Sequence, residues 1–139
     1  MPHLIGIAGG TASGKSTLAR RLARALGEQR CATVSQDNYY RDLSGLSVEA
    51  RATVNFDHPE SIDAQLFAEQ LCALRAGHTV TAPRYDFAHH ARISGGDVIE
   101  PRPVILVEGI LVFVFPELTD LLDVKIYVET PDDIRLARR

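Results

Sequence analysis

The sequence predicts an α/β fold, a mainly parallel sheet covered by helices, on three observations. Gly9, Gly10, Thr11, Ala12, Ser13, Gly14, Lys15, Ser16 and Thr17 fit G-x-x-x-x-G-K-[ST]. An apolar strand-like run, Leu4-Ile5-Gly6-Ile7-Ala8, precedes this stretch, and leucines at 18, 22 and 26 follow it at helical spacing. Val104-Ile105-Leu106-Val107 is a continuous apolar run, as a strand buried on both faces requires.

At 139 residues the chain suits one domain, residues 1–139. A net charge of −3 provides no global basic field, so the expectation is no nucleic-acid partner. The most apolar stretch, 104–115, contains Glu108 and is too short to span a bilayer. Cys31 and Cys72 form no zinc-ligand spacing and read as reduced, buried small hydrophobes. Because the glycine-rich loop begins by residue 9, no signal peptide is expected before the first strand, and the expected location is cytoplasmic, with no membrane partner.

The Gly9–Thr17 stretch reads as a phosphate-binding loop. Glycines at 9, 10 and 14 are expected to take positive φ and bring backbone N–H groups close to an anion, with the following helix turning its positive end to the same place. Lys15 would neutralise the β- and γ-phosphates of a nucleoside triphosphate, and Ser16 would be one ligand of a bridging Mg2+. Lys15 is one of two lysines, the rest of the fifteen cationic residues being arginine, which suits a positional demand there.

After Gly27, Cys31–Ser35 reads as a second strand, and Asp37 follows it on the rim where strands of an open α/β sheet present ligand groups. Asp37 is read as a general base for an acceptor hydroxyl, as a carboxylate positioning Mg2+, or as ordinary Asp-Asn turn chemistry. Residues 42–60 show no long period. A helix is expected from about Ser61 to Ala76, with Ile62, Leu66, Phe67, Leu71 and Leu74 on its apolar face and Gly77 at its end. Asp57, just upstream, either binds sugar hydroxyls or braces the turn.

Residues 79–100 depart from strand–helix alternation. Thr79–Thr81 and Asp97–Glu100 look like short strands of a β-hairpin insert. Between them Tyr85, Phe87 and His90 form a group of rings that could edge or stack on a base, or a local hydrophobic cluster. Glu108 ends the buried strand, where a carboxylate either holds Mg2+ or its waters beside Ser16 or, if structural, must find a partner as the chain leaves the core. Residues 116–122 read as a short helix and Val124–Val128 as a fourth parallel strand. Thr130 and Pro131 open a helix that carries Arg135, Arg138 and Arg139 on one face. Those arginines are either a solvated face or a clamp on a phosphoryl group.

From residue 4 to 139 the chain resembles the uridine kinase (uridine–cytidine kinase) family. The resemblance rests on an ordered set beyond the loop: Ser35–Arg41, Asn55–Pro59, Tyr85-Asp86-Phe87, His90-Ala91-Arg92, Glu108–Leu111 and Arg135–Arg139. It implies a three-layer α/β/α P-loop NTPase fold of the nucleoside-kinase type. The implied reaction transfers the γ-phosphoryl of ATP or GTP to the 5′-hydroxyl of uridine or cytidine, with Mg2+, in pyrimidine salvage. By the same resemblance Asp37 would be the base, and Asp57 would bind the ribose 2′- and 3′-hydroxyls. Tyr85, Phe87 and His90 would form the pyrimidine pocket with Tyr40 nearby; Arg135 and Arg138 would contact nucleoside and phosphate. Ser16, Asp37 and Glu108 would surround the metal.

Family members are often tetramers, so a homo-oligomer is implied. They also continue past the position of Arg139 through an arginine-rich lid, a helix and a fifth strand, so residues 1–139 are expected to be a C-terminally incomplete domain that binds weakly and turns over poorly. Rival readings are another P-loop small-molecule kinase of phosphoribulokinase or pantothenate kinase type, and an inactive nucleotide-binding fragment. A GTPase-like switch is disfavoured, because Asp42–Gly45 matches D-x-x-G but no N-K-x-D segment accompanies it.

Overall fold

The computed structural model describes residues 2–9, 14–41, 61–86 and 91–129. Gly10, Thr11, Ala12, Ser13, Asp57, Phe87, His90, Arg135 and Arg138, each singled out above, lie outside the described residues.

Alternating apolar residues make β1, His3–Gly9, and the leucine period after the loop makes α1, Lys15–Leu26. β2 is Cys31–Ser35, and a short 3-10 turn, Gln36–Tyr39, continues from it. α2 spans Ala64–Arg75. Two antiparallel strands follow, β3 at Val80–Asp86 and β4 at Ala91–Ile99. β5, Val104–Gly109, is the apolar run; α3, Pro116–Thr119, is a single turn, and β6 is Val124–Val128.

The main sheet is parallel, in the order β2-β5-β1-β6. Strand alternation divides its side chains between two cores. Leu4 and Ala8 of β1, Val34 of β2, and Ile105 and Val107 of β5 face Tyr39, Phe67, Leu71, Leu74 and Leu118. Ile7, Cys31 and Leu106 point the other way, against Ala19, Leu18, Leu22 and Leu26 of α1. β5 therefore has no polar face, which is why Val104–Val107 is apolar without alternation. Burial also pushes the Cys31 thiol pKa up, so that side chain behaves as a small hydrophobe.

Three sequence expectations need correction. α2 begins at Ala64, not Ser61, because the Asp63 carboxylate accepts from the Leu66 N–H at 3.2 Å and caps the helix there. Ile62 consequently lies outside the helix; it is buried, in a bridge with Tyr40. Cys72 is exposed, because Phe67, Leu71 and Leu74 set the buried face of α2 and residue 72 is rotated away from it.

The hairpin is longer than the short strands expected. Its register shifts where Ala82 pairs with Asp97 and Arg84 with Ile93. The shift falls at Pro83, which has no N–H for the ladder, and β4 carries its additional residues opposite it. Asp123 ties β1 to the loop before β6: its N–H donates to the Leu4 carbonyl at 2.8 Å, and its carboxylate accepts from the Leu4 N–H at 2.9 Å and from Arg75 at 3.3 Å. Among the described residues no helix is long and apolar enough to cross a membrane.

Candidate active site

Parallel strands bring their carboxyl ends to one edge, and here that edge carries Gly9, Ser35 and Glu108. Gly9 remains strand backbone, paired with Val128, and is not among the glycines with positive φ; this corrects the expectation for that residue. Gly14 does take the left-handed conformation, φ 99°, immediately before α1. A residue with a Cβ would be strained there. α1 has no side-chain cap and no acidic residue in its first turn, so no carboxylate from that turn competes for its leading N–H groups. Lys15, Ser16 and Thr17 occupy the first three positions of α1, and Thr17 Oγ1 lies 3.5 Å from Arg20 Nη2.

The β2–β5 register sets Ser35 directly opposite Glu108. Ser35 Oγ donates to Glu108 Oε1 at 3.0 Å and accepts from the Asp37 N–H at 3.3 Å. The second Glu108 oxygen lies 4.0 Å from Lys15 Nζ; the two side chains are only 16% and 13% exposed, so neither charge is fully hydrated. A phosphate arriving at Lys15 would compete with Glu108 for the ammonium and leave that carboxylate available to a cation. Asp37 is exposed on the rim, one residue beyond buried Gln36. The structure thus brings Lys15 and Ser35 to Glu108 and the Asp37 backbone to Ser35, a residue to which the sequence reading gave no role in the site. Its signal was its place at a strand end, but partnership with Glu108 depends on β2 and β5 being neighbours, and no local pattern states that.

A Mg2+ ion suits this donor set. Glu108 and Asp37 are hard oxygen donors, and Mg2+ in phosphate sites takes one or two carboxylates, with phosphate and water oxygens completing the shell. Among the described residues no three His, Cys, Asp or Glu side chains converge.

Tyr40 and Tyr85 are brought together from separate segments, ring centroids 5.5 Å apart and planes tilted by 47°, both buried. Several contacts lock this side of the molecule. Tyr39 stacks on Phe67 at 4.2 Å, its hydroxyl donates to Gln70 Oε1 at 2.6 Å, and Gln70 Nε2 donates to the Thr81 carbonyl at 2.9 Å. The Asp63 N–H donates to the Tyr39 carbonyl at 2.8 Å, and Arg92 Nη2 donates to Asp63 Oδ2 at 3.1 Å. The turn that carries Asp37 is thereby joined to α2 and to the hairpin.

A G-x-x-x-x-G-K-S sequence between β1 and α1, a strand-end carboxylate beside its lysine, and a parallel sheet of this strand order define a P-loop protein of the kinase fold. Residues 4–139 match the family model described as Phosphoribulokinase / Uridine kinase family, and the chain belongs to that family. It is 46% identical to a uridine kinase of Clostridium perfringens over 99% of this chain, and 47% identical to a uridine kinase of Chloroflexus aurantiacus over the same share. The chain spans 66% of the length of those curated relatives. Among solved structures, one from Silicibacter sp. TM1040, described as a fructose transport system kinase, superposes with a TM-score of 0.81 at 32% identity, covering 99% of this chain and 69% of that one.

Proposed function

We propose that the protein transfers the γ-phosphoryl group of ATP or GTP to the 5′-hydroxyl of uridine or cytidine, giving UMP or CMP in pyrimidine salvage. The observation that carries this reading is the Lys15–Glu108 pair at the carboxyl edge, with Asp37 tied to the same serine that holds Glu108. Support for the acceptor comes from the uridine kinase relatives, 46–47% identical over nearly the whole chain.

In this reading the loop residues 9–17 cradle the phosphates and Lys15 offsets their charge. Asp37 takes the proton of the 5′-hydroxyl as its oxygen bonds to the γ-phosphorus and the bond to the β-phosphate bridge breaks, releasing the nucleoside diphosphate. Ser16, Glu108 and Asp37 would hold Mg2+, which would neutralise charge on the donor's phosphates. Tyr40, Asp57, Tyr85, Phe87, His90, Arg135 and Arg138 are proposed for the nucleoside, with the 79–100 hairpin contributing to its pocket. A cytoplasmic, homo-oligomeric enzyme completes the proposal on family resemblance alone.

A sugar acceptor is the second reading, favoured by the description of the 32%-identical structure as a fructose transport system kinase. A coupled assay offering uridine, cytidine, fructose, ribulose 5-phosphate and pantothenate separates the two. Phosphorylation of the pyrimidine nucleosides is expected; turnover on a non-nucleoside alone would overturn the proposal.

A further inference from the structure

Gln36 is the polar side chain that is fully buried among the described residues, and the chemistry proposed above leaves it unused. It lies between Ser35, which holds Glu108, and Asp37. Its Oε1 accepts from the Leu111 N–H at 2.7 Å, gripping the chain where it leaves β5. It also lies on Gly109: a Cβ at residue 109 would stand 2.4 Å from both Gln36 Cβ and Oε1. Only glycine allows that approach. Ser35 and Gln36 therefore grip the end of β5 from two sides, Glu108 through a hydroxyl and Gly109–Leu111 through an amide.

Among the described residues Gln36 Nε2 is buried without a hydrogen-bond partner. A side chain present only to fill this space would be better apolar, because an unmet buried donor costs stability. What the amide adds is the fixed bond to Leu111.

We propose that Gln36 is a positioning residue. It sets the distance and orientation of Asp37 relative to Glu108, and so aligns the acceptor hydroxyl with the phosphoryl group, while touching neither. This rests on the roles proposed above for Asp37 and Glu108.

The test is Gln36→Met in the full chain, which keeps the length and removes both amide functions. Hydrogen–deuterium exchange at the Leu111 amide is expected to rise about tenfold or more, with α1 and α2 amides unchanged. In steady state kcat should fall about 10- to 100-fold, while the nucleoside KM and the affinity for a non-hydrolysable ATP analogue stay within about twofold. If the unsubstituted chain phosphorylates none of the acceptors offered, the functional reading fails, and the exchange measurement alone judges the clamp. Unchanged exchange at Leu111, an unchanged kcat in an active enzyme, or a loss falling mainly on KM overturns the proposal. Should Gln36→Met not fold, Gln36→Asn, one methylene short of Leu111, must give the same pattern. Failure of both to fold would make Gln36 a folding determinant and equally overturn it.

Discussion

The phosphate side and the hairpin side of the molecule hold their functional candidates by different means. Gly9, Ser35 and Glu108 end adjacent parallel strands, where the ladder fixes backbone positions and helix-covered faces prevent slippage. Tyr85 and Arg92 face each other on a two-stranded ribbon outside that sheet. The ribbon is fastened by side chains: Tyr85 against Tyr40, Gln70 to the Thr81 carbonyl, and Arg92 to Asp63. Geometry set by a ladder tolerates little adjustment, whereas geometry set by side chains can be retuned one residue at a time. That contrast suits a family whose name joins a nucleoside kinase with a sugar-phosphate kinase.

The largest expected effect is on the phosphate side. Lys15→Ala removes the cation facing Glu108 and should lower kcat/KM for ATP by about 10³-fold or more. A loss below tenfold in the coupled assay would place the phosphates elsewhere. Gly109→Ala probes the rigidity of the same edge. The added Cβ meets Gln36 at 2.4 Å, so unfolding in urea should show a loss of about 1–3 kcal/mol. A neutral result would mean that the strand ends can shift apart, which would weaken the contrast itself.

On the hairpin side the consequence should be graded. Asp63→Ala removes both the α2 cap and the largely buried Arg92 partner, at a cost of about 1–3 kcal/mol. Its kinetic signature should be a nucleoside KM raised several-fold with the ATP analogue's affinity intact. Equal damage to both ligands would show that the two sides are one rigid unit.

The smallest effect sharpens the junction between them. Tyr39→Phe keeps the stack on Phe67 but loses the bond to Gln70, at a cost of about 1 kcal/mol. Burial pushes the Tyr39 phenol pKa well above its ordinary value, so the folded state resists ionisation that the unfolded chain allows. Its contribution is therefore intact below about pH 10 and is lost as pH rises further. Denaturant midpoints measured from pH 8 to 11 should fall less steeply for the phenylalanine variant.

What could be read from sequence follows the same division. Gly14, Lys15 and the flanking strand and helix were legible because a phosphate loop is contiguous, and Glu108 because a charge closing an apolar run marks a strand end. The parallel sheet and the hairpin excursion were legible from periodicity and its interruption. The errors came from phase and pairing. Ile62 falls outside the helix because the Asp63 cap starts α2 after it, and Cys72 is exposed because Phe67, Leu71 and Leu74 define the buried face, which residue type alone does not show. Gly9 belongs to the glycine motif by type but to the ladder by position, because β6 extends the pairing to it. Ser35, Gln36 and Gly109 form their grip only when β2 lies beside β5, a contact across more than seventy residues that leaves no local trace.

The position of β5 also sets a timetable. β1 and β2 come early in the chain but are not neighbours; the strand that joins them is completed only at residue 109. During synthesis the interval between the end of β2 and the end of β5 is roughly 4–15 s at ordinary elongation rates. Throughout it the apolar edges of β1 and β2 have no ladder, and Lys15 and Ser35 have no Glu108. On the ribosome, then, the carboxyl edge of the sheet closes in one late step, and a nascent chain stalled before residue 104 would present two unpaired strands to whatever else is folding nearby.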